Sequence, residues 1–65
     1  MKPPKVRPTV RLKNQADMFL IISQVVDALK TAGADEDYVR RFKTDALYDY
    51  KTVIFTCYEY VNIAD

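Results

Sequence analysis

Basic side chains recur along the first part of the chain and are its strongest candidates for chemistry. Every second residue from Lys5 to Lys13 is cationic except Thr9, which puts Lys5, Arg7, Arg11 and Lys13 on one face of an extended strand. These charges recur about every 6–7 Å, a spacing comparable to that of phosphates along an extended single-stranded nucleic acid. Natural edge strands also carry Lys and Arg to prevent edge-to-edge aggregation, so the pattern leaves both explanations open.

A second group of candidates combines cations with tyrosines. The chain has five tyrosines, and two of them lie at a predicted turn, where a ring could stack on a nucleotide base. Guanidinium and ammonium groups from neighbouring subunits of an oligomer could converge on a phosphate. Packing in a core or an interface is the competing explanation for the tyrosines. The predicted ligand-binding set is Arg11, Lys13, Arg40, Arg41, Tyr48 and Tyr50.

Common catalytic and metal-binding sites find little support. The chain has no histidine, which removes the most frequent general base and excludes a Cys/His zinc set. Ser23 lies within a predicted helix without a base, and Cys57, the only cysteine, falls on a predicted core face. The acidic run Asp35–Asp37 lacks the spaced ligands of a calcium loop and suits a helix start. We therefore predict a protein that is not an enzyme and needs no cofactor or metal.

Length and composition predict one small domain that needs additional burial. A chain of 65 residues with 49% apolar residues can form a core, but below roughly 70–80 residues a disulfide, a metal or oligomerisation usually adds stability. With one cysteine and no zinc set, self-association is the remaining option. No apolar run approaches the roughly 20 residues that span a bilayer. We predict a cytoplasmic homo-oligomer without a membrane partner.

Charge divides the chain into a basic start and a mildly acidic remainder. Residues 1–13 hold half of the 10 basic residues and none of the 9 acidic ones. Pro3, Pro4 and Pro8 favour an extended backbone near this end. We predict a basic, Pro-rich flexible arm over residues 1–8 and a single α+β domain over residues 9–65.

Hydrophobic periodicity predicts the elements of that domain. A strand is expected over about Thr9–Leu12, followed by a long helix over Ala16–Ala32 with Asn14 as its N-cap and Gly33 as its left-handed C-cap. The preceding alternation points Val6, Pro8, Val10 and Leu12 to one side of the strand. The core face of the helix comprises Met18, Phe19, Ile21, Ile22, Val25, Val26 and Leu29.

The second half of the chain predicts two more helices and a short strand. One helix is expected over Asp35–Leu47, capped by Asp35, with Tyr38, Val39, Phe42 and Ala46 as its apolar stripe. From Lys51 onward β-propensity favours a strand, but the apolar periodicity favours a helix to about Tyr58. Tyr60–Ile63 could then be extended and pair with the first strand. The fold class is α+β: an N-terminal edge strand, three helices and a possible C-terminal strand. The third helix's apolar side comprises Val53, Ile54, Cys57, Tyr58, Tyr60 and Val61.

Single residues spaced over about residues 9–64 carry a resemblance. They are Val10–Leu12, Asn14–Phe19, Ala28–Lys30, Ala32–Gly33, Phe42, Tyr48–Tyr50, Thr56 and Tyr60–Ile63. In this order they resemble a group of short, uncharacterised proteins encoded by phages and prophages. The chain departs from that group at residues 14–17 and 46–48, where members usually have a glycine-containing helix entry and a Ser-Gly turn. The resemblance implies a helical third segment, a phage setting and the host cytoplasm, and it carries no activity.

Three functional hypotheses follow. The first is a non-enzymatic, phage-type, small homo-oligomeric binding protein that antagonises a host defence by sequestering an anionic nucleotide signal. The second is a nucleic-acid-binding accessory protein that uses the basic arm, with Lys5, Arg7, Arg11 and Lys13 as its contacts. The third is a protein–protein inhibitor or a structural phage component. Leu20 and Phe55 lie off the main stripes of their helices and predict a second apolar surface, which favours homo-oligomerisation.

Overall fold

A helical hairpin forms the centre of the fold. The computed structural model describes residues 1–11, 17–48 and 50–64, with Tyr50 described by its backbone alone. The hairpin consists of α1 (Met18–Thr31) and α2 (Glu36–Tyr48), which pack against each other. A short 3₁₀ turn, Tyr50–Thr52, leads into α3 (Val53–Tyr60), which packs on α2.

Two short strands complete the fold. The first, β1 (Thr9–Arg11), pairs in parallel with β2 (Asn62–Ala64) and brings the two ends of the chain together. Val10 faces Ile63 in the register and is buried, whereas its neighbours in β1 are exposed. The predicted α+β fold, with one N-terminal strand, three helices and a C-terminal strand that pairs with the first, is confirmed.

Asp17, rather than Asn14, is the N-cap of α1. Its Oδ1 accepts hydrogen bonds from the backbone N–H groups of Phe19 at 3.0 Å and Leu20 at 3.4 Å. A carboxylate both satisfies orphan amides and complements the positive end of the helix dipole, and the helix begins at Met18 rather than at Ala16. Asn14 lies outside the described residues.

Gly33 ends α1 as the sequence predicts. Its φ is +100°, a backbone conformation that side chains with a Cβ rarely adopt. The Gly33 N–H donates to the Lys30 carbonyl and the Ala34 N–H donates to the Leu29 carbonyl, which together form a Schellman motif. The chain therefore reverses over residues 32–35, and α2 runs back along α1.

Asp35 closes the reversal and caps α2, also as predicted. Its Oδ1 accepts the Tyr38 N–H at 2.9 Å, and its Oδ2 accepts the Lys2 N–H at 2.7 Å. The hydrogen bond from Tyr38 is the main cause that lowers the pKa of this carboxyl group, and the Lys2 N–H and nearby positive charges add to it. The cap is therefore a carboxylate at neutral pH.

The first residues of the chain lie against this reversal. The Lys5 N–H donates to the Ala32 carbonyl at 2.9 Å, and the Asp35 N–H donates to the Lys2 carbonyl at 3.1 Å. These hydrogen bonds place the basic segment beside the C-terminal end of α1. The flexibility expected of residues 1–8 concerns their motion and stays a prediction.

The core lies between the hairpin, α3 and the two strands. On α2 the predicted stripe is confirmed, since Val39, Phe42 and Ala46 are buried and Tyr38 is half-buried. Partly buried Tyr60 of α3 packs edge-on against the rings of Tyr38 and Phe42, with centroids 5.6 and 5.1 Å away. The buried hydrophobic residues are Val10, Ile21, Ile22, Val25, Val26, Leu29, Val39, Phe42, Ala46, Val53, Cys57 and Val61.

Two predicted inward residues are exposed instead. Phe19 is 66% exposed, because the apolar face of α1 continues beyond the elements that cover it. Tyr58 lies on the outer side of α3. The prediction that the side chains of Phe19 and Tyr58 face the core is wrong. Val6, which precedes β1, is 75% exposed.

Periodicity outweighs β-propensity in the third segment. The helix α3 extends to Tyr60, two residues beyond the predicted end, and Val61 then has an extended backbone. The second strand consequently begins at Asn62 rather than at Tyr60. Buried Val53 and Cys57 lie four residues apart on the inner side of α3, so helical burial decides the conformation.

Replacing the α1 cap is expected to destabilise the fold. Asp17→Ala leaves the amides of Phe19 and Leu20 without their acceptor, which costs about 1 kcal/mol at a helix N-cap. Urea unfolding followed by circular dichroism measures this change. Asp27→Ala removes an exposed acid from the middle of the same helix and serves as the control. Equal unfolding midpoints for the two variants would contradict the assignment of Asp17 as the cap.

The lowered pKa of Asp35 predicts a loss of stability in acid. A carboxyl group whose pKa is lower in the folded state stabilises the fold above its unfolded pKa, near 3.8, and this contribution disappears as pH falls through the folded value. Asp35→Asn should lower the melting temperature at pH 7 and reduce its dependence on pH below about 4. Glu36→Gln, at the next position, is the control. An Asp35→Asn profile parallel to that of the wild type would contradict the prediction.

Candidate functional site

A cationic cleft between α1 and α2 is the best candidate for a binding site. On α2, Glu36, Arg40 and Lys43 recur at i, i+4 and i+7, which places them along one side of the helix. Lys30, in the last turn of α1, lies across from them because the chain reverses at Gly33. These residues and Val39 line a cavity of about 210 Å³.

The charges of this cleft favour an anion. Three cations and one carboxylate, all of them exposed, line the cleft beside the buried side chain of Val39, and their net positive charge attracts an anion. The Arg40 guanidinium lies 3.4 Å from Asp37, but both side chains are exposed, so this ion pair is weak. A guanidinium has five N–H donors, and Arg40 can therefore bind a further acceptor.

The cleft is large enough for one charged group of a ligand but too small for a whole nucleotide. Sites that enclose a whole small molecule measure about 300–1,000 Å³, which exceeds this cavity of about 210 Å³. A phosphate or carboxylate group fits, whereas the remainder of a nucleotide would extend over the surrounding surface. Among the residues that line the cavity, Glu36 is the only acid.

The structure separates the predicted ligand-binding residues. Arg40 lies in the cleft, whereas Arg41 lies next to it on the helix and its charge acts on Tyr60. Tyr48 is 90% exposed at the other end of α2, about 12 Å along the axis from Arg40. Arg11 is exposed on β1. Lys13 and the side chain of Tyr50 lie outside the described residues.

Two cations of the cleft were not among the predicted site residues. Lys30 and Lys43 join Arg40 only because the hairpin brings the end of α1 beside the first half of α2. The spacing of Glu36, Arg40 and Lys43 is visible in the sequence as a charged helix face. The position of Lys30 opposite that face depends on the rotation of one helix against the other.

Arg7 has a structural contact that the strand pattern does not reveal. Its guanidinium donates hydrogen bonds to the Tyr58 carbonyl and, at 3.2 Å, to the Val61 carbonyl. These carbonyls lie at the C-terminal end of α3, where orphan acceptors and the negative end of the dipole favour a cation. Lys5 and Arg11 are exposed. Arg7, one of the four predicted nucleic-acid contacts, therefore already binds carbonyl groups at the end of α3.

Two reactive groups of the described residues, buried Cys57 and partly buried Tyr60, pack in or against the core. Burial raises the pKa of the Cys57 thiol to about 11, which leaves it protonated at neutral pH. Burial, followed by a 2.6 Å hydrogen bond to Asp45, raises the pKa of the Tyr60 hydroxyl to about 12. Within residues 1–11, 17–48 and 50–64, there is no group of three or more His, Cys, Asp or Glu side chains that could hold a metal ion.

Comparisons with known proteins do not identify a relative of this chain. No family model, curated protein or solved structure matches the chain. The resemblance to short phage-encoded proteins therefore stays a prediction. No helix in the described part of the chain is long and apolar enough to cross a membrane.

Removing the guanidinium of Arg7 should destabilise the end of α3. Arg7→Ala leaves the Tyr58 and Val61 carbonyls without this donor, which costs about 1 kcal/mol. Amide hydrogen exchange should accelerate in α3 and β2 more than in α1. Lys5→Ala removes an exposed cation from the same segment and should change exchange in α3 little. Uniform exchange rates in wild type and Arg7→Ala would refute this role.

Proposed function

We propose that the chain is a non-enzymatic, homo-oligomeric binding protein that sequesters an anionic nucleotide through the cationic cleft. The observation that supports this proposal is the convergence of Lys30, Arg40 and Lys43 around one cavity. Binding alone suffices for sequestration, so the proposal requires no catalytic group.

A phosphate group complements this cleft in charge and geometry. The guanidinium of Arg40 can donate two parallel hydrogen bonds to phosphate oxygens, and the two lysines add mobile point charges. With Glu36 included, the lining carries a formal charge of +2, which suits a phosphate that carries one or two negative charges. The Glu36 carboxylate could accept a hydrogen bond from a ribose hydroxyl or a base amino group and so favour a nucleotide over free phosphate.

The proposed biological role follows from the resemblance to phage-encoded proteins. A phage product that binds a nucleotide signal and keeps it bound would prevent a host defence from receiving that signal. This role needs affinity and abundance rather than turnover. It therefore agrees with a small protein that is predicted to act in the host cytoplasm without an enzymatic activity.

Calorimetry against cyclic and linear nucleotides tests the binding proposal. At least one nucleotide should bind, and Arg40→Ala should weaken its affinity roughly tenfold or more because a charge-assisted contact is lost. Arg41→Ala removes the same charge from the neighbouring position, outside the cleft, and should leave the affinity nearly unchanged.

Three results would contradict the proposal in different ways. No heat and no thermal shift with any nucleotide would eliminate nucleotide binding. Equal losses in Arg40→Ala and Arg41→Ala would place the site elsewhere. Binding of single-stranded DNA or RNA that weakens steeply with salt and disappears on deletion of residues 1–8 would instead favour the accessory protein.

A further inference from the structure

Among the described residues, five of the eight large hydrophobic residues that are exposed belong to the end of the molecule opposite Gly33. Because α2 runs back along α1, the C-terminal end of α2 lies at the level of the N-terminal end of α1. The first turn of α3 follows the 3₁₀ turn Tyr50–Thr52 and belongs to the same end. The apolar end surface, as we call it, comprises Phe19, Leu20, Leu47, Tyr48 and Phe55.

One of these residues continues the core of the hairpin. Phe19 lies seven residues before buried Val26, on nearly the same line of α1. Near Val26 that line is covered by the rest of the chain, but at Phe19 it is 66% exposed. The apolar face of α1 is therefore longer than the described part of this chain can cover.

The area of the apolar end surface is close to what a dimer requires. Phe19, Phe55 and Tyr48 are 66%, 67% and 90% exposed; at about 200 Å² for each aromatic side chain they present roughly 450 Å². A standard interface buries about 800 Å² per partner, of which about 56–65% is apolar. The three aromatic residues alone reach the lower limit of the roughly 450–520 Å² of apolar surface that this fraction implies, and exposed Leu20 and Leu47 add further apolar area.

We infer that the apolar end surface is where two copies of this chain associate, each covering the Phe19 and Phe55 side chains of the other. The same surface on both copies forms a two-fold, isologous contact. This inference rests on the self-association in the proposed function and names its surface. It does not depend on the ligand, because Lys30 and Glu36 lie beside the Gly33 reversal, at the other end of the hairpin.

A second copy is the occupant because this small fold needs more burial than it has. The single cysteine excludes an intrachain disulfide, and the described residues hold no group of metal ligands. Domains of this size then commonly gain stability by association. Aromatic residues are enriched in such interfaces.

Two substitutions test the surface without weakening the helices. Phe19→Glu falls in the first turn of α1, where a negative charge complements the dipole. Phe55→Glu falls in the first turn of α3, where a negative charge likewise complements the dipole. Val6→Glu is the matched control, because Val6 is 75% exposed and follows Lys5, which is bonded at the Gly33 reversal.

Sedimentation equilibrium at concentrations up to several hundred micromolar gives the outcome. The wild type and Val6→Glu should sediment as dimers, and Phe19→Glu and Phe55→Glu should shift the dissociation constant by roughly 100-fold or more toward the monomer. Circular dichroism must show native helix content in each variant. If either variant unfolds, mixed-isotope NMR on the wild type tests the surface instead. It should show contacts between copies at the Phe19 and Phe55 rings.

The results separate the surface from the rest of the proposal. A wild type of 7.5 kDa at all concentrations would overturn both this inference and self-association. Variants that stay folded and dimeric would overturn the surface while self-association stands. Calorimetry on the Phe19→Glu monomer tests nucleotide binding by the cleft independently of dimerisation, because that substitution lies at the opposite end of the hairpin.

Discussion

The reversal of the chain at Gly33 is the constraint on which the rest of the structure depends. Its positive φ and the Schellman hydrogen bonds end α1, and Asp35 then starts α2 within three residues. This short connection makes the two helices neighbours and brings Lys30 beside Arg40. A longer connection would allow other crossing geometries, in which the two cations need not share a cleft.

Local signals in the sequence were sufficient to predict most of the fold. Apolar periodicity identified all three helices, and the chemistry of Gly33 and Asp35 identified the reversal. The N-cap of α1 was predicted at Asn14 instead of Asp17, because several polar residues precede the helix and side-chain chemistry alone ranks them poorly as caps. Phe19 was misjudged because helical periodicity shows which face is apolar, but it does not show where the cover of that face stops.

The candidate site was harder to predict, for a reason of geometry. A basic residue such as Arg40 can be recognised as a candidate, but its partners depend on which helix packs beside it. Lys30 and Lys43 become neighbours of Arg40 through tertiary packing. Arg41 has the same chemistry and a neighbouring position, yet it lies outside the cleft because successive helical residues point about 100° apart. Residue type therefore indicated the chemistry, and packing decided which side chains share it.

The basic start of the chain has a third explanation besides nucleic-acid binding and protection of a strand edge. Carbonyl groups at helix C-termini carry partial negative charge, and the basic segment lies at two such ends. Arg7 donates to carbonyls at the end of α3, and the backbone N–H of Lys5 donates to Ala32 at the end of α1. Lys2 and the terminal amine lie beside the Asp35 carboxylate. The Arg7 contact depends on its cationic side chain, whereas Lys2 and Lys5 bind through backbone N–H groups that other residues could also supply. Because the charge of Arg7 already stabilises the end of α3, this residue is weaker support for a nucleic-acid partner than its place in the basic segment suggests.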